Sequence, residues 1–317
     1  MQLTIALAAE EAAGVQALRL LGNRGHDIAA VFTSTGERGQ SASVASTATA
    51  LGLPVYPARE VRDPASARRL REHGVDLLLS VHSRHLIHAD LLAAPVLGAF
   101  NLHPGLLPER AGLNTPSWAL YEGAERHGVT LHHMSPIFDA GPIAFTEAFD
   151  LAAGDTGLAV LMQCVRRGLR LVQRLLELLE AGEPVPAQPQ DLARRRWFEA
   201  GPPDGGLLDW RRPARRAVDF VRACDFDPFP SPWGFPRCVA RGLEVAVADA
   251  AVADEPCDAP PGTVAHAQGA ALIAAADAWV KVQRVEVAQE RRPAVEVLRD
   301  GERLALLGRE RQVGVGL

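Results

Sequence analysis

Four short, nearly continuous apolar runs, at residues 3–8, 28–32, 53–56 and 75–81, are separated by stretches of helical length, and this alternation constrains the fold more than any other feature. A strand that is apolar on both faces must be covered on both, which is the situation of a parallel sheet with helices above and below it. Helical stretches at 10–21 and 65–73, and a shorter one ending at Gly52, supply that cover. The opening is therefore βαβ, of α/β class. The turn after the first run, Ala8-Ala9-Glu10-Glu11, lacks the G-x-G-x-x-G that brings backbone close to a pyrophosphate, so a nicotinamide or flavin dinucleotide is not expected there.

At 317 residues the chain suits two domains rather than one. A long helix capped by Asp155 or Thr156 carries Leu158, Leu161, Met162, Val165, Leu169, Val172, Leu176 and Leu179 at helical spacing and stops at Gly182, a core stripe. Residues 184–203, with Pro184, Pro186, Pro189 and the cluster Arg194-Arg195-Arg196-Trp197, read as a linker. Beyond a helical segment at 215–223 and a Pro-rich turn at 228–234, the pattern changes to short strands at 243–247, 262–264, 271–274, 278–287 and 294–298, as in a small antiparallel barrel. The expected organisation is a sheet domain at 1–183, the linker, and a second domain at 204–317.

The net charge of −5 gives no general grip on nucleic acid. Cys164, Cys224, Cys238 and Cys257 have no C-x-x-C spacing and read as reduced thiols. The first residues read as a strand, not a signal peptide, and no run approaches the ~20 apolar residues of a membrane helix. A soluble cytoplasmic protein with no membrane partner is expected.

Residues 98–142 carry the chemistry. The apolar strand Ala99-Phe100 runs into Asn101, Leu102 and His103 before Pro104-Gly105 stops it. Period two puts Asn101 and His103 on one face and Leu102 on the other, at a strand's carboxyl end, where open α/β sheets bind ligands. A second apolar segment, 128–132, leads to Asp139. Taken singly, Asn101 could cap a turn, His103 could be a core histidine and Asp139 could begin a loop. Together, an amide can donate to a developing oxyanion, an imidazole can exchange protons, and a buried carboxylate can orient the ring and favour its charged form. Ser83 and Ser117 sit in no G-x-S-x-G elbow and no cysteine is near, so a covalent nucleophile is not indicated. His82, His85 and His88 lack Cys or acidic companions before Asp90 and read as the mouth of a pocket rather than a metal site; no metal is expected.

Asn101-Leu102-His103-Pro104-Gly105-Leu106-Leu107-Pro108, followed by Gly128-Val129-Thr130 and Asp139-Ala140-Gly141, resembles the formyltransferases that use 10-formyltetrahydrofolate. The segment 204–210 and Pro261-Gly262-Thr263-Val264 resemble their carboxy-terminal domain. The resemblance implies a Rossmann-like formyltransferase domain followed by a small OB-like β-barrel. It implies Asn101, His103 and Asp139 as catalytic trio, with Asn101 and a protonated His103 on the oxyanion of the tetrahedral intermediate. It also implies that Arg84, His85, Leu86, Ile87 and His88, the residues Ser135, Ile137, Phe138 and Asp139, and Leu106 contact the folate.

The acceptor is narrowed by departures from the tRNA-modifying branch. The loop at 34–46, where that branch carries a basic insertion, holds only Arg38 beside Glu37. Leu131-His132 resembles amino-sugar and peptide-synthetase-associated N-formyltransferases. Arg110, Asn114, Thr115 and His132 are the expected acceptor contacts. The expected acceptor is a small-molecule or carrier-bound primary amine, in an amino-sugar nucleotide or specialised metabolite. Methionyl-tRNA, which the arginines at 194–196 and 211–216 could serve, and a non-catalytic folate-binding role remain the alternatives. The sequence gives no oligomeric state.

Overall fold

The computed structural model describes residues 1–34 and 43–305. The chain groups into two compact units. One gathers Met1–Thr115, His127–Phe149 and Leu161–Phe198; the other gathers Pro116–Arg126, Asp150–Val160 and the chain from Glu199 onward.

The first unit begins β1 (Thr4–Ala9), α1 (Glu11–Asn23), β2 (Asp27–Thr33), α2 (Val44–Ala50), β3 (Val55–Pro57), α3 (Ala65–Glu72), β4 (Leu77–Val81), α4 (Ala89–Leu92) and β5 (Ala99–His103). After β6 (Ala111–Gly112) and α5 (Thr115–Tyr121) come β7 (Arg126–His133), β8 (Ile143–Asp150), α6 (Gly157–Ala181) and β9 (Trp197–Phe198). Seven strands form one sheet in the order β3-β2-β1-β4-β5-β7-β8. The first five run parallel, in keeping with the mostly buried, apolar sequences of these strands. The chain leaves β1 on one side and returns on the other at β4, so a switch-point crevice opens at the carboxyl ends of these two strands.

β7 departs from the expected parallel arrangement. It pairs antiparallel with β5, setting Asn101 opposite His132 and His103 opposite Thr130. An apolar strand pattern records burial on both faces but carries no direction, so the sequence could not distinguish the two senses. Leu102 faces away from the polar pair and packs against α6, where a Cβ on Gly168 would crowd its methyl groups. Thr156 caps that helix, its hydroxyl accepting from the Ala159 N–H at 3.2 Å, and Gly182 ends it at φ +72°.

The segment expected as a linker divides at residue 198. Up to Phe198 it belongs to the first unit: Gln188 exchanges two backbone hydrogen bonds with Ile143, and β9 pairs parallel with β6. Gly112 stands at φ +103° where a Cβ would overlap the Phe198 backbone, so only glycine fits this short ladder.

The second unit carries α7 (Ala214–Cys224), β10 (Arg237–Ala240), β11 (Leu243–Val247), β12 (Ala251–Pro256), β13 (Val264–Ala267), β14 (Ala270–Ala274), β15 (Ala278–Val282), β16 (Arg284–Val287), β17 (Glu290–Pro293) and α8 (Ala294–Val297). Its strands make two four-stranded antiparallel sheets, β10-β11-β16-β17 and β12-β15-β14-β13. The single run read at 278–287 is two strands in different sheets, turning at Gln283. Residues 294–297, read as strand, form a short helix because Pro293 presets the entry. β17 was invisible in the sequence, since Glu-Arg-Arg-Pro is wholly exposed and shows no alternation.

Gly112→Ala should destabilise the protein by about 2 kcal/mol or more, as a residue forced into both strain and overlap. Chemical denaturation measures this; an unchanged midpoint would contradict the placement of β9 on β6.

Candidate functional site

Side chains of directly opposed residues in an antiparallel pair share a face, as do residues two apart along a strand. Asn101, His103, Thr130 and His132 therefore project together. Because β7 runs against β5, its end lies beside the start of β5, and the turn after it carries Asp139 back to the same cluster. His103, His132 and Asp139 are 4%, 2% and 9% exposed.

The hydrogen bonds fix ring states. The His132 Nδ1–H donates to its neighbour's carbonyl, His133 O, at 2.8 Å, leaving Nε2 to accept from Asn101 Nδ2 at 3.1 Å. The His103 Nε2–H donates to the Arg110 carbonyl at 2.6 Å, so its Nδ1 is the free lone pair, facing Asp139 Oδ1 at 3.7 Å. His132 Nε2 is 3.6 Å from the same oxygen. Neither contact is a hydrogen bond. Among the described residues the one direct bond to the carboxylate is from the Gly112 N–H to Oδ2 at 2.9 Å.

Burial raises the Asp139 pKa, but the two imidazoles and the Gly112 N–H outweigh it and hold the group well below the usual carboxylate range. Burial also pushes His103 down, more than Asp139 and the Arg110 carbonyl pull it up. The protonated His103 that the resemblance implies belongs to the tetrahedral intermediate; in the site at rest the carboxylate favours the imidazolium while desolvation favours the neutral ring.

The loop beyond His103 is pinned from below. Thr130 Oγ1 donates to Gly105 O at 2.7 Å and accepts from Leu107 N at 3.2 Å, while the His127 Nε2–H donates to Pro104 O at 3.0 Å. A Cβ on Gly105 would stand 2.7 Å from His103 Nε2 and from the Arg110 carbonyl. Thr115, expected at the acceptor, is 0% exposed and donates its hydroxyl to Pro104 O, so it shapes this loop from within.

The remaining expected residues are distributed as follows. Arg110 and Asn114 are half-buried, and Asn114 is at φ +52°. Leu106 is half-buried and its side chain fills the space above Gly128. Leu86, Ile137 and Phe138 are exposed, and the Ser135 hydroxyl donates to Ile137 O at 2.9 Å. His85 is half-buried. Ile87 belongs to the core, and His88 caps α4 by accepting from the Asp90 N–H. Arg84 is bound to Glu11 at 2.6 Å, and that carboxylate also lies 3.5 Å from His82 Nδ1. His82 foremost, against the opposing effect of burial, lowers the Glu11 pKa to about 2. Glu11 and His82 both adopt positive φ at the switch point. Glu37 and Arg38 lie outside the described residues. Among the described residues no three His, Cys, Asp or Glu side chains are grouped to hold a metal, and no helix is long and apolar enough to cross a membrane.

Sequence reasoning missed His127, which is 0% exposed beneath the loop, with Nδ1 unpartnered. It also missed Gly112 and Gln190, whose partner Asp139 is far away in sequence. Gln190 lay in the supposed linker, and no local pattern marks it.

Two family models match the chain: formyl transferase over residues 11–167, and formyl transferase, C-terminal domain, over residues 202–301. The chain belongs to the formyl transferase family and carries both of its domains. Similar solved structures include HypX from Aquifex aeolicus in complex with tetrahydrofolic acid, at 19% identity and TM-score 0.59, covering 93% of this chain and 46% of HypX. This chain therefore spans about half the length of HypX. The N-formyltransferase from Helicobacter canadensis, in complex with folinic acid and dTDP-3-aminofucose, matches at 15% identity and TM-score 0.64, covering 89% of this chain and 98% of that one. WlaRD, a sugar 3N-formyl transferase solved with dTDP and 5-N-formyl-THF, matches at 12% identity and TM-score 0.66, covering 92% and 99%. At these identities the likeness is one of fold.

Burial, then Arg110, pushes the His127 pKa down to about 3, against the Pro104 carbonyl. The unfolded chain, with an ordinary histidine pKa of about 6.5, takes up this proton first as pH falls. The contribution is complete above about pH 6.5 and is lost toward pH 3, by up to about 5 kcal/mol. In urea unfolding, His127→Asn should flatten the fall in stability across that window; an unchanged slope would contradict a buried neutral ring.

Proposed function

We propose that the chain transfers a formyl group from 10-formyltetrahydrofolate to a primary amine of an amino-sugar nucleotide. The observation that carries this reading is the convergence of Asn101, His103, His132 and Asp139 on one face. Family membership and the folate and dTDP-sugar ligands of structurally similar enzymes support it.

In the proposed reaction the neutral amine attacks the formyl carbon, forming the new C–N bond, and negative charge gathers on the formyl oxygen. Asn101 donates an N–H to that oxygen. His103, neutral at rest, takes the proton released by the attacking nitrogen at Nδ1, and the ionised Asp139 offsets the imidazolium charge. The same proton passes to the folate nitrogen as its bond to the formyl carbon breaks. Binding of substrates has to draw the 3.7 Å contact between His103 Nδ1 and Asp139 into hydrogen-bond range once Nδ1 carries the proton.

More than half of the arginines in the basic segments are ion-paired, and the rest are held against a carbonyl or a ring. Arg194 is paired with Glu109, Arg195 donates to Phe138 O, and Arg196 lies over the Phe198 ring. Arg211, Arg212 and Arg215 pair with Asp209, Asp204 and Asp219, and Arg216 lies over Tyr121. This supports a small acceptor over methionyl-tRNA.

The test is incubation with 10-formyltetrahydrofolate and a panel of dTDP-amino sugars, carrier-bound amines and charged initiator tRNA, with mass spectrometry of the products. A formylated amino-sugar nucleotide is expected, with His103→Ala reducing turnover by about 10² to 10⁴. Formylation of tRNA alone would select the tRNA reading; folate binding with no product would select the non-catalytic one.

A further inference from the structure

We propose that Gln190 is a positioning residue for Asp139, its side-chain amide fixing the turn that aims the carboxylate at His103 and His132. In its kinetic consequences this rests on the formyl-transfer reading; in its structural consequences it does not.

The Gln190 Nε2 group donates to two main-chain carbonyls, Asp139 O at 3.0 Å and Gly141 O at 2.6 Å. Its Oε1 is buried without a hydrogen-bond partner among the described residues, so the hydrogen bonding of the amide is spent on this one turn. The turn needs such a brace. Asp139 stands at φ +51°, and Gly141 lies so close to the His133 carbonyl that no Cβ fits. Bonding the Asp139 and Gly141 carbonyls fixes the peptide plane that follows Asp139 and the one that closes the turn two residues on.

The brace is itself anchored. Two residues before Gln190, Gln188 exchanges hydrogen bonds of 2.7 and 2.9 Å with Ile143. Five residues after it, Arg195 donates to Phe138 O at 2.9 Å. The same segment ends in β9, whose pairing with β6 holds Gly112, and the Gly112 N–H is the direct donor to the Asp139 carboxylate. Residues 188–198 thus grip Asp139 twice, through the Gln190 side chain at its main chain and through Gly112 at its carboxylate. A glutamine bonded only to main-chain carbonyls resembles ordinary loop glue. What separates the two roles is whether its loss is felt at His103.

The groups facing His103 are Asp139, His132 and His127 on β7, His82 after β4, and the Arg110 carbonyl. Of these, Asp139 is the one Gln190 touches. The experiment is a ¹⁵N-imidazole NMR titration of His103 in the full-length wild type, Gln190→Ala, Gln190→Glu and Asp139→Asn proteins, with His26 as an internal reference. In Gln190→Ala the His103 midpoint should move from the wild-type value toward that of Asp139→Asn while His26 stays fixed. In the formyl-transfer assay, kcat should fall about tenfold, as expected for a misaimed group, with KM for donor and acceptor within about twofold. Gln190→Glu should regain activity relative to wild type as pH falls, because a protonated carboxyl can again donate to one of the two carbonyls.

A folded Gln190→Ala protein with the wild-type His103 midpoint would overturn the proposal, as would one midpoint shared by all four proteins. Should the alanine variant fail to fold, Gln190→Glu, which keeps the side chain's volume, yields the same midpoint and the same decision. Should the wild type formylate nothing in the panel, the functional reading falls and the His103 midpoint still decides the role of Gln190.

Discussion

The site is organised by one buried carboxylate that lacks a full set of partners. Among the described residues the Asp139 carboxylate receives a single direct hydrogen bond, from the Gly112 N–H, and stands just beyond bonding distance from two imidazoles. An ionised carboxylate taken out of water is costly unless donors surround it. The Gly112 N–H and the two nearby imidazoles outweigh that cost, and the carboxylate stays ionised. The arrangement therefore has room for one more proton, and His103, with Nε2 committed to the Arg110 carbonyl and Nδ1 turned toward Asp139, is where that proton fits.

The surrounding fold can be understood as the support of that carboxylate. β5 brings Asn101 and His103 to one face by simple alternation, and antiparallel β7 adds His132 opposite Asn101. The loop after His103 is held by Thr115, His127 and Thr130 through its carbonyls. Strain gathers in the same region, with Glu11, His82, Asn114 and Asp139 all at positive φ. Such conformations persist where surrounding bonds over-determine them.

Much of this was legible in the sequence because it rests on short periods. The doubly buried apolar strands announced the α/β sheet, the i, i+2 spacing put Asn101 and His103 together, and the breakers around Asp139 marked a turn. What was hidden depends on contacts between distant segments. The sense of β7 leaves no trace in an apolar run. The Gly112 N–H and the Gln190 amide meet Asp139 from 27 and 51 residues away. Residues 184–198 look like a linker for a physical reason: two-residue β9 is too short for alternation, and its work is done by single side chains and backbone groups. The balance of charge at His103 was hidden too, because spacing shows which groups meet, not how much water they lose.

The central claim is that the face shared by Asn101, His103, His132 and Asp139 is where the formyl carbon reacts. A crystal structure of the protein with 5-formyltetrahydrofolate and an unreactive acceptor analogue measures this most directly. The formyl carbon is expected within about 4 Å of both Asn101 Nδ2 and His103, the separation a near-attack geometry allows. A folate bound with its formyl group elsewhere, and these four side chains facing no ligand, would contradict it.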